Sequence, residues 1–103
     1  MIIAINDSGR VTLPRGNVLG HSGENGLRVH RVIHPKFEGA YYDIVLDFGS
    51  SQTAVRVSGE EISLDSDTLS EVGEAEAQFR ALKVEDGEVL IFKSDLFSVR
   101  ILP

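Results

Sequence analysis

Cysteine is absent from the chain. That excludes disulfides, thiolate metal centres and cysteine nucleophiles. Tryptophan is absent too, so any aromatic platform must come from five phenylalanines and two tyrosines. No apolar run approaches the ~20 residues that a membrane-spanning helix needs, so no membrane association is expected. The opening MIIAINDSGR has neither a basic start nor a cleavage-like site and reads as a strand rather than a signal peptide. Linkers, internal repeats and low-complexity tracts are missing as well. The 103 residues suit one domain spanning 1–103. A domain of that size buries about two-thirds of its unfolded surface, enough for a core without staples.

Positive charge is scarce. Ten Lys and Arg stand against sixteen Asp and Glu, for a net charge of -6. Such a chain repels phosphate backbones, and nucleic acid is not an expected partner. The balance is uneven along the sequence. Residues 1–36 hold Arg10, Arg15, Arg28, Arg31 and Lys36 against Asp7 and Glu24, a local +3 that leaves -9 for the rest.

Catalytic and metal motifs are missing in the same way. In GHSGENGLRVHRVIH (20–34), Gly26 is followed by Leu27 where a phosphate loop needs Lys and then Ser or Thr. No strand–glycine–helix unit surrounds it to make a dinucleotide site. His30 and His34 have zinc-protease spacing, but Arg31 stands where the glutamate base belongs and Pro35 follows. On a strand the two would lie some 13 Å apart at ~3.3 Å per residue, too far for one ion. They read as surface or edge histidines. The tripeptide Asp47–Gly49 matches a kinase motif without any catalytic loop, and no Gly-x-Ser-x-Gly elbow occurs. Asp65 and Asp67 lack the glycine and distal glutamate of a calcium loop. No catalytic residue, metal site or cofactor is expected.

What the sequence does contain is alternation of period two, the strand signal. Tyr42, Ile44, Leu46 and Phe48 share one face, and Tyr41, Asp43, Val45 and Asp47 the other. Val55 and Val57 flank Arg56. Leu27 and Val29 alternate with Arg28 and His30, and Ile62 and Leu64 follow a Ser58-Gly59 turn. Turn signals recur at Asp7-Ser8-Gly9, Asn25-Gly26, Gly49-Ser50-Ser51 and Asp86-Gly87. Short strands at this spacing predict an all-β, antiparallel β-sandwich, immunoglobulin-like or jelly-roll-like, with at most one short helical turn. That turn is placed near Asp67–Glu71, with a strand from about Glu74.

The sharpest local expectation is the hairpin at Asp86-Gly87. A two-residue type I′ loop there sets Val84 opposite Val89 and Leu82 opposite Ile91. Ala75, Ala77, Phe79 and Ala81 have the opposite parity. The apolar face therefore switches between Ala81 and Leu82, which implies either a bulge or a strand buried on both faces. EVLIF and LFSVRI are apolar on both faces, and the latter is expected to offer an open edge.

The order of elements carries a resemblance. INDSGRVTLPRGNVLGHSGENGLRVHRVI reads as strand, a G-x-x-G-E-N turn at Gly20–Asn25, and strand. YYDIVLDF, TAVRVSGEEISLD, a DSDTLSEVGEAEAQF turn into strand, and a last hairpin follow. This resembles small β-sandwich domains of phage and prophage tails in Gram-positive bacteria, and is similar to the N-terminal domain of siphophage baseplate upper proteins. The resemblance implies a non-enzymatic assembly role, with other tail or baseplate proteins and copies of itself as partners. It implies a place in the virion tail, reached from the host cytoplasm. Gly20, Gly23, Glu24 and Asn25 would then be an architectural turn whose carboxylate accepts backbone N–H groups. The expected interaction surface comprises Phe37, Tyr41, Phe97, Val99 and Ile101. A carbohydrate- or host-surface-binding sandwich is the alternative, with Phe37 and Tyr41 as its available aromatics.

Overall fold

The alternation becomes ten strands and no helix in a computed structural model that describes all residues, Met1–Pro103. One sheet runs in the order β2 (Val11–Thr12), β1 (Ile2–Ile5), β4 (Val29–Ile33), β7 (Glu61–Ser63). The other runs β3 (Val18–His21), β10 (Phe97–Leu102), β8 (Gly73–Glu85), β5 (Tyr41–Asp47), β6 (Gln52–Val57), and β9 (Glu88–Lys93) also pairs with β8. The sandwich is therefore all-β, but its sheets are mixed rather than purely antiparallel. β1 runs parallel to β4, with Ile3 opposite Val32, and β3 runs parallel to β10. The reason is connectivity. Between β1 and β4 the chain visits the other sheet as β3 and returns in its original direction, the long crossover that parallel neighbours require.

The core lies between the sheets. Ile3, Ile5, Val32 and Ile62 face Ile44, Leu46, Val57, Phe79, Val99 and Ile101, with Ala75, Ala77 and Ala81 beneath. The parity of β4 departs from the simplest reading of its sequence. Ile3 and Val32 are paired and both buried, and side chains alternate strictly, so His30 goes inside with Val32. Leu27 is left 96 % exposed, and Val29 and Ile33 face out. Residues Ser66–Leu69 form one helical turn, closed by the Leu69 N–H on the Asp65 carbonyl at 3.0 Å. The Asp65 carboxylate accepts the Thr68 N–H at 2.9 Å.

β8 settles the parity switch at Ala81–Leu82. Its register with β5 runs unbroken from Asp47–Glu76 to Tyr41–Leu82, so there is no bulge. Nor is the strand buried on both faces. Ala75, Ala77, Phe79 and Ala81 face the core, while Leu82 and Val84 belong to a stretch that runs beyond it. Past Leu82 only β9 accompanies β8, and the two form an arm in a molecule measuring 45 × 27 × 24 Å. Its register is Val84–Val89 and Leu82–Ile91, turning at Asp86 and Gly87, whose φ angles are 51° and 78°. Two successive positive φ angles define a type I′ turn, whose twist matches the flanking strands. Gly87→Val places a β-branched residue in that region and is expected to lower stability by on the order of 1–2 kcal/mol. A urea midpoint equal to that of the parent chain would contradict the turn geometry.

Candidate interaction surface

The chemistry-bearing side chains are used for architecture. His21 Nδ1 lies 2.9 Å from the Pro103 carbonyl oxygen. His30 is buried, with Nε2–H donating to the Leu19 carbonyl at 2.6 Å and Nδ1 accepting from the Met1 amino group at 3.0 Å. His34 is buried too. Its Nδ1 bonds the Pro35 carbonyl at 2.7 Å, and its ring lies against Tyr42 and Phe79 at centroid distances of 4.3 and 4.9 Å. So two of the three histidines are interior, not surface or edge residues. β4 parity and the aromatic layer carry them inside, where both His30 ring nitrogens and His34 Nδ1 are hydrogen-bonded. No group of three His, Asp or Glu side chains is placed to hold a metal.

The Gly20–Gly26 loop is a knot built around one carboxylate. Glu24 Oε1 accepts the His21 N–H and the Arg28 Nε–H, the latter at 3.1 Å, while Oε2 accepts from Arg28 Nη2 at 3.0 Å. The guanidinium first, and the backbone N–H second, hold the Glu24 carboxyl below its ordinary range. This pair lies over Gly20, where a Cβ would come within 2.7 Å of Glu24 Oε1. Four further N–H groups are directed at carbonyls: Ser22 at Leu102, Gly23 at Leu69, Glu24 at His21 and Gly26 at Leu64. Asn25 Oδ1 accepts the Ser66 N–H at 2.9 Å. A phosphate cradle needs free N–H groups, and this loop has committed them to lacing the 64–69 turn and the end of β10 together.

The largest group of exposed apolar side chains lies on and beside the arm. On its outer face Tyr41, Leu82 and Ile91 form one cross-strand row and Val84 and Val89 the next. Val84 is 66 % exposed, Val89 59 % and Ile91 54 %. The other face carries Leu90 and Phe92, with Phe37 stacked on Phe92 at 5.3 Å over a groove of about 450 Å³. The Tyr42 hydroxyl accepts the Phe37 N–H at 2.8 Å and so fixes that ring's backbone. Large apolar side chains exposed together in this way mark interaction sites far more often than single ones do. Toward the root of the arm the outer face turns polar. Arg80 is held by Asp43 through two bonds of 2.8 and 2.6 Å, and the Arg56 guanidinium lies 5.4 Å over the Tyr41 ring.

Of the residues expected to form an interaction surface, Phe37 and Tyr41 are exposed on this arm. Phe97 is half-buried against the core. Val99 and Ile101 are fully buried and are not a surface at all. The expectation fails there because β10 is no edge: it lies between β3 and β8, with its odd-numbered side chains in the core. Val84, Val89, Leu90 and Ile91 lie outside the expected set, although EVLIF reads as apolar on both faces. The signal for them was the apolar parity switch after Ala81, which marks where β8 leaves the core.

The architecture is thus a small all-β sandwich with two mixed sheets and a protruding hairpin. No protein-family model matches the chain, and no curated protein matches it in sequence. Eight chains of solved structures do match. One is the N-terminal domain of phage TP901-1 ORF48, similar over 99 % of this chain and 97 % of that one, with a TM-score of 0.63 and 21 % identity. The likeness is one of fold, and it runs the length of both chains.

His30 makes a pH signature. Burial, the largest cause, lowers its pKa from the ordinary 6.5. The unfolded chain therefore binds a proton before the folded one does. The His30 contribution is complete above about pH 6.5 and is lost as pH drops toward the folded value. The Met1 amino group, lowered from 8.0 chiefly by burial, acts with the same sign at higher pH. The depressed carboxyls of Glu24, Glu60 and Asp65 act only below their ordinary values of 4.5, 4.5 and 3.8. Urea midpoints are expected to fall between pH 7.5 and 5.5, and a flat profile there would show that His30 titrates normally.

Proposed function

We propose that residues 1–103 form one domain serving as a non-enzymatic structural module of a phage or prophage tail baseplate. It acts by packing against other tail subunits. The observation that carries this reading is the fold likeness to a domain of a phage protein across nearly the whole of both chains. The element order of the sequence, which resembles baseplate upper proteins, points the same way. Packing is favoured over catalysis because Glu24, Asn25 and Arg28 are committed to the Gly20–Gly26 loop, while the largest group of exposed apolar side chains gathers on and beside the arm. Phe37 and Tyr41 belong to that proposed contact surface, and the Gly20–Asn25 loop shapes the opposite end of the sandwich.

The test is to purify tail particles from the phage or induced prophage that encodes the chain and to search them by mass spectrometry and immunogold electron microscopy. The protein is expected in the particle fraction, with label at the tail tip. Its absence from particles would overturn the reading. Absence combined with binding of the isolated chain to host-wall carbohydrate would replace it with the glycan-binding alternative.

A further inference from the structure

We propose that the arm pairs with the arm of a second copy, β9 against β9, in antiparallel register about a two-fold axis at Leu90. Three features of the arm lead to this pairing.

The first is the edge itself. Glu85 and Glu88 close the two-residue turn as a hydrogen-bonded pair, and bonded pairs alternate along an antiparallel ladder. Leu90 and Phe92 therefore direct their backbone groups at β8, and Val89 and Ile91 direct theirs outward. No other strand pairs with β9. An apolar edge with free N–H and C=O groups is a template for another strand.

The second is register. A two-fold axis normal to the sheet keeps each face on its own side, so only residues of equal parity meet. With Leu90 on the axis, Leu90 meets Leu90 of the second copy, and Val89 meets Ile91 twice. The outer rows then fuse: Tyr41, Leu82 and Ile91 of one copy continue into Val89 and Val84 of the other. Moving the axis to Ile91 sets Val89 against Lys93, and moving it to Val89 sets Glu88 against Leu90. On the outer face the Leu90 register alone sets each apolar residue against another, Val89 against Ile91, while on the opposite face Glu88 meets Phe92.

The third is charge. The tip of the arm is acidic, with Asp86, Glu88 and Glu85, the last paired to Lys83, while its root carries Lys93, with Arg80, itself paired to Asp43, opposite it and Arg56 nearby. In the antiparallel arrangement the acidic tip of each copy lies beside the basic root of the other. At the Leu90 register Gly87, flanked by Asp86 and Glu88, falls opposite Lys93. The pattern is self-complementary head to tail, which a two-fold pairing uses twice. It requires the arm but not membership of a tail, so this inference and the function proposed above stand or fall separately.

Sedimentation velocity of the full chain from micromolar to millimolar concentration is expected to show a reversible monomer–dimer equilibrium, weakened by salt. A monomer at every concentration would overturn the proposal. The cysteine-free background allows a direct test of register. Leu90→Cys places one thiol in each copy across a non-hydrogen-bonded pair, with Cα atoms ~4.5 Å apart, within disulfide reach. Oxidised glutathione is expected to convert this variant to a covalent dimer and to leave Val89→Cys, whose thiols are offset along the strands, uncrosslinked. Equal crosslinking of the two variants, or of neither, would refute the register. Ile91→Lys, at an exposed position, is expected to abolish the dimer while leaving the urea midpoint unchanged. A dimer that survives this variant would place the contact elsewhere.

Discussion

The ladder between β8 and β5 is the constraint on which the rest of the sandwich depends. Seven consecutive pairs, from Tyr41–Leu82 to Asp47–Glu76, fix one face of β8 inward. That face presents Ala75, Ala77, Phe79 and Ala81, one large side chain among small ones. The ring of Phe79 reaches His34, Tyr42 and Phe92, so it joins the sheet centre to the root of the arm. On its other edge β8 is shared between β10 and β9, and the handover falls at Phe79. A break in a buried ladder would strand backbone groups. Ser94 fills it: its Oγ accepts the Phe79 N–H, its N–H donates to the Phe79 carbonyl, and its own carbonyl accepts from Gln78, each bond within 2.9–3.0 Å.

This arrangement explains why one strand serves two environments. Up to Ala81, β8 has the core on one side, and its parity obeys the core. Beyond Leu82 the first sheet no longer covers it, and β9 is its only neighbour. Two-stranded ribbons standing alone are marginal, yet this one carries apolar residues on both faces along its free edge, between the charges of its tip and root. Its stability and its stickiness therefore have one origin: side chains that would be core in a longer sandwich here face outward.

Much of the fold was legible because its signals are local. The alternation of β5, the type I′ dipeptide Asp86-Gly87 and the strand rather than helix from Gly73 onward all depend on near neighbours. What was hidden depends on partners distant in sequence. The parity of β4 is set by Ile3 opposite Val32, and nothing within 27–33 announces that a histidine goes inward. The two parallel pairings, and the central place of β10, follow from the excursion of β3 between sheets. For the same reason Val99 and Ile101 read as a free edge although they are core. The arm was half legible: its register could be read, but whether its apolar row met protein or water turned on how far the first sheet extends.

The parallel seam of β3 with β10 has a kinetic meaning. It joins residues 18–21 to residues 100–102, and the Gly20–Gly26 loop is fastened to both the 64–69 turn and Leu102. Closing such a seam requires a loop of most of the chain to be ordered first, and topologies dominated by distant pairings fold slowly, on the order of milliseconds to seconds. During that interval the β8–β9 hairpin, whose contacts are among the most local in the molecule, is well able to form early. A nascent chain would thus display the apolar rows of its arm before its core is sealed, and the rate at which β10 docks governs how long the unsealed core stays exposed.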